Sequence, residues 1–144
     1  MERAQIGLAK QGNAEVFHRK DQSSREYLMI RPKQGEIWLF DPDPTKGREI
    51  GKKVRPALII SSDSFNKGSS GLVIIIPMTS KDKKIFSHIR FDPPEGGVKV
   101  TSFAACEHIR SITKERLIKK MGTVKNIMKL IEVQSWIKDL IWIE

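Results

Sequence analysis

Leu72-Val73-Ile74-Ile75-Ile76-Pro77 is an unbroken apolar run, and it limits the folds open to this chain more than any other segment. In extended backbone successive side chains point to opposite faces, so a strand apolar at every position needs cover on both sides. The run is far shorter than the roughly 20 residues of a membrane-spanning helix. A strand from Gly71 to Met78 is therefore expected in the middle of a sheet, ending in the charged loop Thr79-Ser80-Lys81-Asp82-Lys83-Lys84. Shorter β-rich segments surround it. Glu36 to Phe40 stops at Asp41-Pro42-Asp43-Pro44, and Arg55-Pro56 opens a strand from Ala57 to Ser61, proline being suited to a strand's first position. Phe86 to Phe91 alternates, with His88 and Arg90 opposite Ile89 and Phe91, the pattern of a half-buried antiparallel strand. Asp63 to Asn66 reads as a turn or short helical cap and Pro93 to Gly97 as a turn. Val98 to Ile112 supplies one or two further strands, and Arg116 to Met121 a short one.

At the end of the chain the period changes. Val124, Ile127, Met128 and Ile131 recur at helical spacing after Thr123, an expected N-cap. Leu130, Val133, Ile137, Leu140 and Ile141 widen the apolar face, so the helix is expected to be buried against the sheet or a partner chain. Five or six short strands and a terminal helix predict a mostly-β fold, a small curled antiparallel sheet or barrel.

The chain has 144 residues, 39% of them hydrophobic and 30% charged, which fits one globular domain. Its net charge is +9, and residues 1–28 hold five basic and four acidic side chains, so the excess belongs to the folded part. Such a field favours polyanions, nucleic acid above all. The single cysteine, Cys106, forbids an intrachain disulfide framework and fits a reducing compartment. With His18, His88 and His108 scattered, no zinc-ligand spacing is present. No metal or cofactor is expected. Residues 1–20 are interrupted by Glu2, Arg3, Lys10, Glu15 and Arg19, unlike a secretory leader, so a cytoplasmic protein without membrane segments is expected.

Polar residues at the ends of the apolar strands are the natural place for chemistry. Singly, each has an ordinary explanation. Arg55 pairs with Asp41 or Asp43, Thr79 caps its turn, or Glu107 pairs with Arg110. Together, however, Gln34-Gly35-Glu36-Ile37-Trp38-Leu39, Asp43-Pro44-Thr45-Lys46-Gly47, Arg55-Pro56-Ala57-Leu58-Ile59-Ile60-Ser61, Pro77-Met78-Thr79-Ser80 and Glu107-His108-Ile109-Arg110-Ser111-Ile112 occur in the order and at about the spacing of the MazF/PemK toxins. The chain resembles that family from about Pro32 to the terminal helix.

The resemblance implies an SH3-like antiparallel β-barrel with a C-terminal helix, working as a homodimeric endoribonuclease of a toxin–antitoxin pair. Such enzymes cut single-stranded RNA, mostly mRNA, at short motifs without a metal, leaving 2′,3′-cyclic phosphate and 5′-hydroxyl ends, and a cognate antitoxin covers the RNA groove. By the same resemblance Arg55 corresponds to the catalytic arginine and Thr79 to the catalytic threonine or serine. Attack by the RNA's own 2′-OH needs a base, a stabiliser of negative charge and a proton donor. A guanidinium holds two phosphate oxygens at once and suits the second role. Glu107 and His108 are the remaining catalytic candidates, Glu107 as a base and His108 either sharing proton transfer or replacing the family's glutamine as a polar contact. Cys106 is expected to be a small buried residue and no nucleophile. Lys46, Arg48, Lys52 and Lys53 of the first loop, and Ser80, Lys81, Lys83 and Lys84 after the central strand, are expected to contact RNA, and Phe65 or Phe86 to stack a base. Residues 1–31 are expected to form a loosely ordered extension and 32–144 the toxin domain; Met29 resembles the start of ordinary family members. A gyrase-binding, CcdB-like poison or a plain RNA-binding barrel are the alternatives.

Overall fold

A computed structural model describes residues 30–42 and 54–144. Residues 1–29 of the N-terminal extension and the loop residues Lys46, Arg48, Lys52 and Lys53 lie outside the described residues. The elements are β1 (Glu36–Phe40), β2 (Arg55–Ile59), α1 (Asp63–Lys67), β3 (Leu72–Thr79), β4 (His88–Phe91), β5 (Ser102–Ala105), β6 (Arg110–Thr113), β7 (Leu117–Thr123) and α2 (Ile127–Leu140). Tight 3₁₀ turns lie at Glu95–Gly97, Cys106–His108 and Lys114–Arg116.

The central strand explains its own composition. One edge of β3 pairs with β2, Ala57 opposite Pro77. The other edge is shared: Leu72 to Ile75 pair with β6, and Met78 and Thr79 pair with β5, which in turn carries β4. Every pair is antiparallel, in the order β4-β5-β3-β2-β1-β7, with β6 also on β3. With strands on both edges and a core on each face, β3 tolerates few polar residues.

The two cores follow from strand alternation. Trp38, Phe40, Ala57, Ile59, Val73, Ile75, Ile112 and Leu117 fill the space enclosed by β7-β1-β2-β3-β6. Ile37, Leu58, Ile76, Met78, Ile89, Phe91, Ala104 and Cys106 face the other way, where Val133 of α2 closes the layer with Leu130, Trp136 and Ile137 beside it. The mostly-β class and the terminal helix match the sequence reading. The expected barrel is not closed, because no ladder joins β6 to β7 among the described residues. The Lys114–Arg116 turn joins these two strands and prolongs the β1–β7 edge: Asp41 N–H donates to the Arg116 carbonyl at 2.9 Å, and Arg116 Nε donates back to the Asp41 carbonyl at 2.9 Å.

The helix corrects one expectation. Thr123 is no N-cap, because it pairs with Glu36 at the end of β7. Glu95 Oε1 then accepts the backbone N–H of Lys125 at 2.5 Å, and the side chain of Asn126 caps Met128 N–H at 3.1 Å. A carboxylate at this terminus suits the helix dipole. The face packed on the sheet is Leu130, Val133, Trp136 and Ile137, whereas Ile127, Met128 and Ile131 are exposed.

One buried carboxylate ties the sheet together. Glu36 Oε1 accepts from Trp38 Nε1 and from the Lys33 backbone N–H, each at 2.9 Å, and Oε2 meets Lys120 Nζ of β7 at 2.9 Å. Burial pushes the Glu36 carboxyl up, but the bonds from Lys120, Trp38 and Lys33 outweigh it, and its pKa falls below the ordinary 4.5. Truncating Glu36→Ala leaves the buried indole N–H unmatched, and we expect a loss of about 2 kcal/mol in urea unfolding at neutral pH. Because the folded-state pKa is depressed, this stabilisation is complete above the unfolded carboxylate range and is lost as pH falls through the folded value. Glu36→Gln is therefore expected to narrow the gap between wild-type and variant midpoints on acidification; a pH-independent gap would contradict this.

Candidate active site

The antiparallel register of β2 and β3 builds the site. The β2–β3 ladder runs as far as Ala57 opposite Pro77, and just beyond it Arg55, the first residue of β2, and Thr79, the last of β3, line one groove. Behind them Ala57, Leu58, Ile76 and Met78 are buried, which makes the two strand ends a rigid mount. They open into a groove of about 460 Å³ lined by Val54, Arg55, Pro56, Met78, Thr79, Ser80, Lys81, Lys83, Val100 and Ser102.

The groove is electropositive. Its described lining carries the cations Arg55, Lys81 and Lys83 and no carboxylate. Neither an ion pair nor a side-chain hydrogen bond engages Arg55 among the described residues, so its guanidinium is available to a ligand. Asp82 lies on the same loop but is held by Lys84, Nζ to Oδ2 at 3.0 Å, with Lys84 N–H on Oδ1 at 3.1 Å. Thr79 Oγ1 accepts the backbone N–H of Lys81 at 3.2 Å. That bond fixes the hydroxyl oxygen and leaves its proton to donate into the groove. A guanidinium, a hydroxyl and two ammonium groups thus line one open groove, a donor set whose chemistry suits anionic oxygens.

Of the sequence candidates, Arg55, Thr79, Ser80, Lys81 and Lys83 are thus brought together, and Glu107 and His108 do not line this groove. Both lie in the turn after β5, toward the start of β4. Ser87 Oγ donates to Glu107 Oε1 at 2.5 Å, and His88 Nε2 lies 2.6 Å from Oε2. His108 is exposed, its Nε2 3.7 Å from Oε2. Burial pushes the Glu107 carboxyl up, but the hydrogen bonds from Ser87, the local backbone and His88 prevail and leave it below its ordinary value. Cys106 is fully buried, its thiol pushed up to about 12 by burial and by the charge of Glu107, so no thiolate is available. The sequence reading did not single out Val100 or Ser102 in the groove, nor Ser87 and His88 in the turn. Only spatial pairing marks them, as β5 brings Ser102 beside the end of β3 and His88 opposite Ala105.

The comparisons agree with this architecture. A family profile described as PemK-like, MazF-like toxin of type II toxin–antitoxin system matches residues 33–141. Endoribonuclease MazF9 of Mycobacterium tuberculosis is 34% identical over 97 residues, 64% of this chain and 81% of that protein. Endoribonuclease MazF of Staphylococcus epidermidis is 33% identical over 108 residues, covering 74% of this chain and 87% of that one. The crystal structure of MazF from Deinococcus radiodurans superposes with a TM-score of 0.65 at 24% identity, over 79% of this chain and 99% of that one. This chain belongs to the PemK-like, MazF-like family of toxins of type II toxin–antitoxin systems.

Proposed function

We propose that the Arg55–Thr79 groove is the cleavage site of this endoribonuclease toxin, and that it cuts single-stranded RNA by attack of the substrate's own 2′-OH. The observation that carries the reading is that the Arg55 guanidinium, which has no ion pair among the described residues, and the anchored Thr79 hydroxyl line one cationic groove. The 2′-oxygen bonds to the adjacent phosphorus as the bond to the 5′-oxygen breaks, and the attacking proton passes to a base while the leaving oxygen gains one. Extra negative charge grows on the non-bridging oxygens. Arg55 binds two of them at once, and Thr79 with Lys81 and Lys83 holds the phosphate in line. The products are a 2′,3′-cyclic phosphate and a 5′-hydroxyl, and no metal is required because the protein supplies the charge.

The toxin domain spans residues 32–144, in keeping with the matched span 33–141. It acts as a homodimer in the cytoplasm, where mRNA is the substrate and a cognate antitoxin, as the family description implies, occludes the groove. Among the described residues no helix is long and apolar enough to cross a membrane. Purified protein incubated with a long single-stranded RNA in excess EDTA is expected to release discrete fragments. Thr79→Val keeps the side chain's shape and removes the hydroxyl, and is expected to lower the cleavage rate by roughly 10²-fold, the scale of one lost preorganised donor. Intact RNA with the wild-type protein, or full activity in Thr79→Val, contradicts the assignment.

A further inference from the structure

Glu107 is built to hold still. Both carboxylate oxygens are pinned, Oε1 by Ser87 and Oε2 by His88. The His88 side chain is only 4% exposed, and its Nδ1 has no partner among the described residues. A buried polar atom left unmatched costs stability. The fold therefore retains an unfavourable histidine where its one hydrogen bond fixes an acid with 27% side-chain exposure. Next to Ser87 in sequence, Phe86 is 88% exposed, the most open aromatic ring among the described residues.

The position of this cluster argues against proton transfer at the cleavage groove. Thr79 pairs with Phe103, while Glu107 follows Ala105 in the next turn, roughly 10 Å further along the sheet from the rises of strand and 3₁₀ turn. Ser87 and His88 belong to the β4 side of β5, and β3 flanks the opposite side, so the carboxylate is drawn away from Thr79. A general base must reach its proton within hydrogen-bond distance. The loop from Ser80 to Ser87, with Lys81, Lys83, Lys84 and Phe86, runs between the two places and offers cations for intervening phosphates.

We propose that Glu107, positioned by Ser87 and His88 and flanked by Phe86, is a nucleobase-reading subsite for a base a few nucleotides from the scissile phosphate. This rests on the cleavage reading and extends it to sequence choice. Each oxygen retains a lone pair for an incoming donor, and the carboxylate offers acceptors only. It therefore selects a base edge rich in N–H groups: guanine, with N1–H and the exocyclic amine side by side, fits best, and uracil, whose single N–H is flanked by carbonyls, fits worst. Phe86 provides the stacking face that splayed single-stranded bases require. Ser87 and His88 are positioning residues.

The test is 5′-hydroxyl-end sequencing of cleavage products from a randomised single-stranded RNA pool. Wild type is expected to show a preference for guanine at one position away from the cut. Glu107→Gln and Ser87→Ala are expected to reduce that preference roughly tenfold, the scale of one bidentate base contact, with preferences at other positions kept. Ser87→Thr, which restores the hydroxyl, is expected to restore the preference. Phe86→Ala alters an exposed ring, leaves folding intact, and is expected to weaken selection at the same position. An unchanged profile in these variants, or a uniform loss of cleavage in Glu107→Gln with the profile kept, overturns the subsite alone. A wild-type protein that leaves the pool intact overturns the cleavage reading as well.

Discussion

Replacing Arg55 with alanine is expected to lower RNA cleavage by roughly 10²-fold or more while leaving the fold intact, the scale of one lost stabiliser of the charge that grows on the phosphate oxygens. Its place at the head of β2 supports both halves of the statement. Its guanidinium is exposed and takes part in no ion pair among the described residues, so truncation strands no buried partner. The backbone is held independently, with Phe40 opposite Arg55 in the β1–β2 ladder. Arg55→Lys retains one charge but loses the two-pronged geometry, and a partial loss is expected. Thermal unfolding and single-turnover cleavage measured on the same samples check the separation. Wild-type rates in Arg55→Ala remove the arginine from the site, and a collapsed melting temperature shows a structural role instead.

The largest effect on stability is expected at Gly97. Its φ is +80°, a left-handed conformation costly to other residues, and an added Cβ would sit 2.2 Å from the carbonyl oxygen of Met121 in β7. The obstacle is backbone, so no side chain can swing aside. Strain of about 1–3 kcal/mol from the dihedral adds to a similar overpacking cost, and Gly97→Ala is expected to destabilise by about 3 kcal/mol or more. In a domain of this size that lowers the melting temperature by roughly 10 °C. The close approach keeps the Glu95–Gly97 turn against β7, beside which Glu95 binds the start of α2. An unchanged melting curve would contradict this packing account.

The sequence made the strands legible because their apolar residues obey a short, local rule. Leu72 to Pro77 announced a strand covered on both faces, and Arg55-Pro56 marked the head of another. Arg55 and Thr79 were legible as strand-end polar residues, although only the folded chain shows that they line one groove. Features set by distant partners were hidden. The start of α2 is governed by a carboxylate of the preceding loop and by the Glu36–Thr123 pairing, which local capping rules do not contain. Alternation assigned His88 to the polar face of β4, yet the turn carrying Glu107 covers that face and leaves the ring nearly buried. Glu107 had Arg110 as its nearest expected partner in sequence; its bonds go instead to Ser87 and His88, brought beside it by the β4–β5 ladder. The gap between β6 and β7 was equally invisible, since it depends on which strand edges pair after the chain folds.

The central claim, metal-free cleavage by the RNA's own 2′-hydroxyl in the Arg55–Thr79 groove, is tested most directly by the chemistry of the cut ends. A short RNA with one cleavage site, treated with the protein in excess EDTA, is expected to give one fragment whose mass carries a 2′,3′-cyclic phosphate and another beginning with a 5′-hydroxyl. A 2′-deoxy substitution at the cut nucleotide is expected to abolish the reaction. Fragments with 5′-phosphate ends, or undiminished cleavage of the 2′-deoxy substrate, would contradict the account.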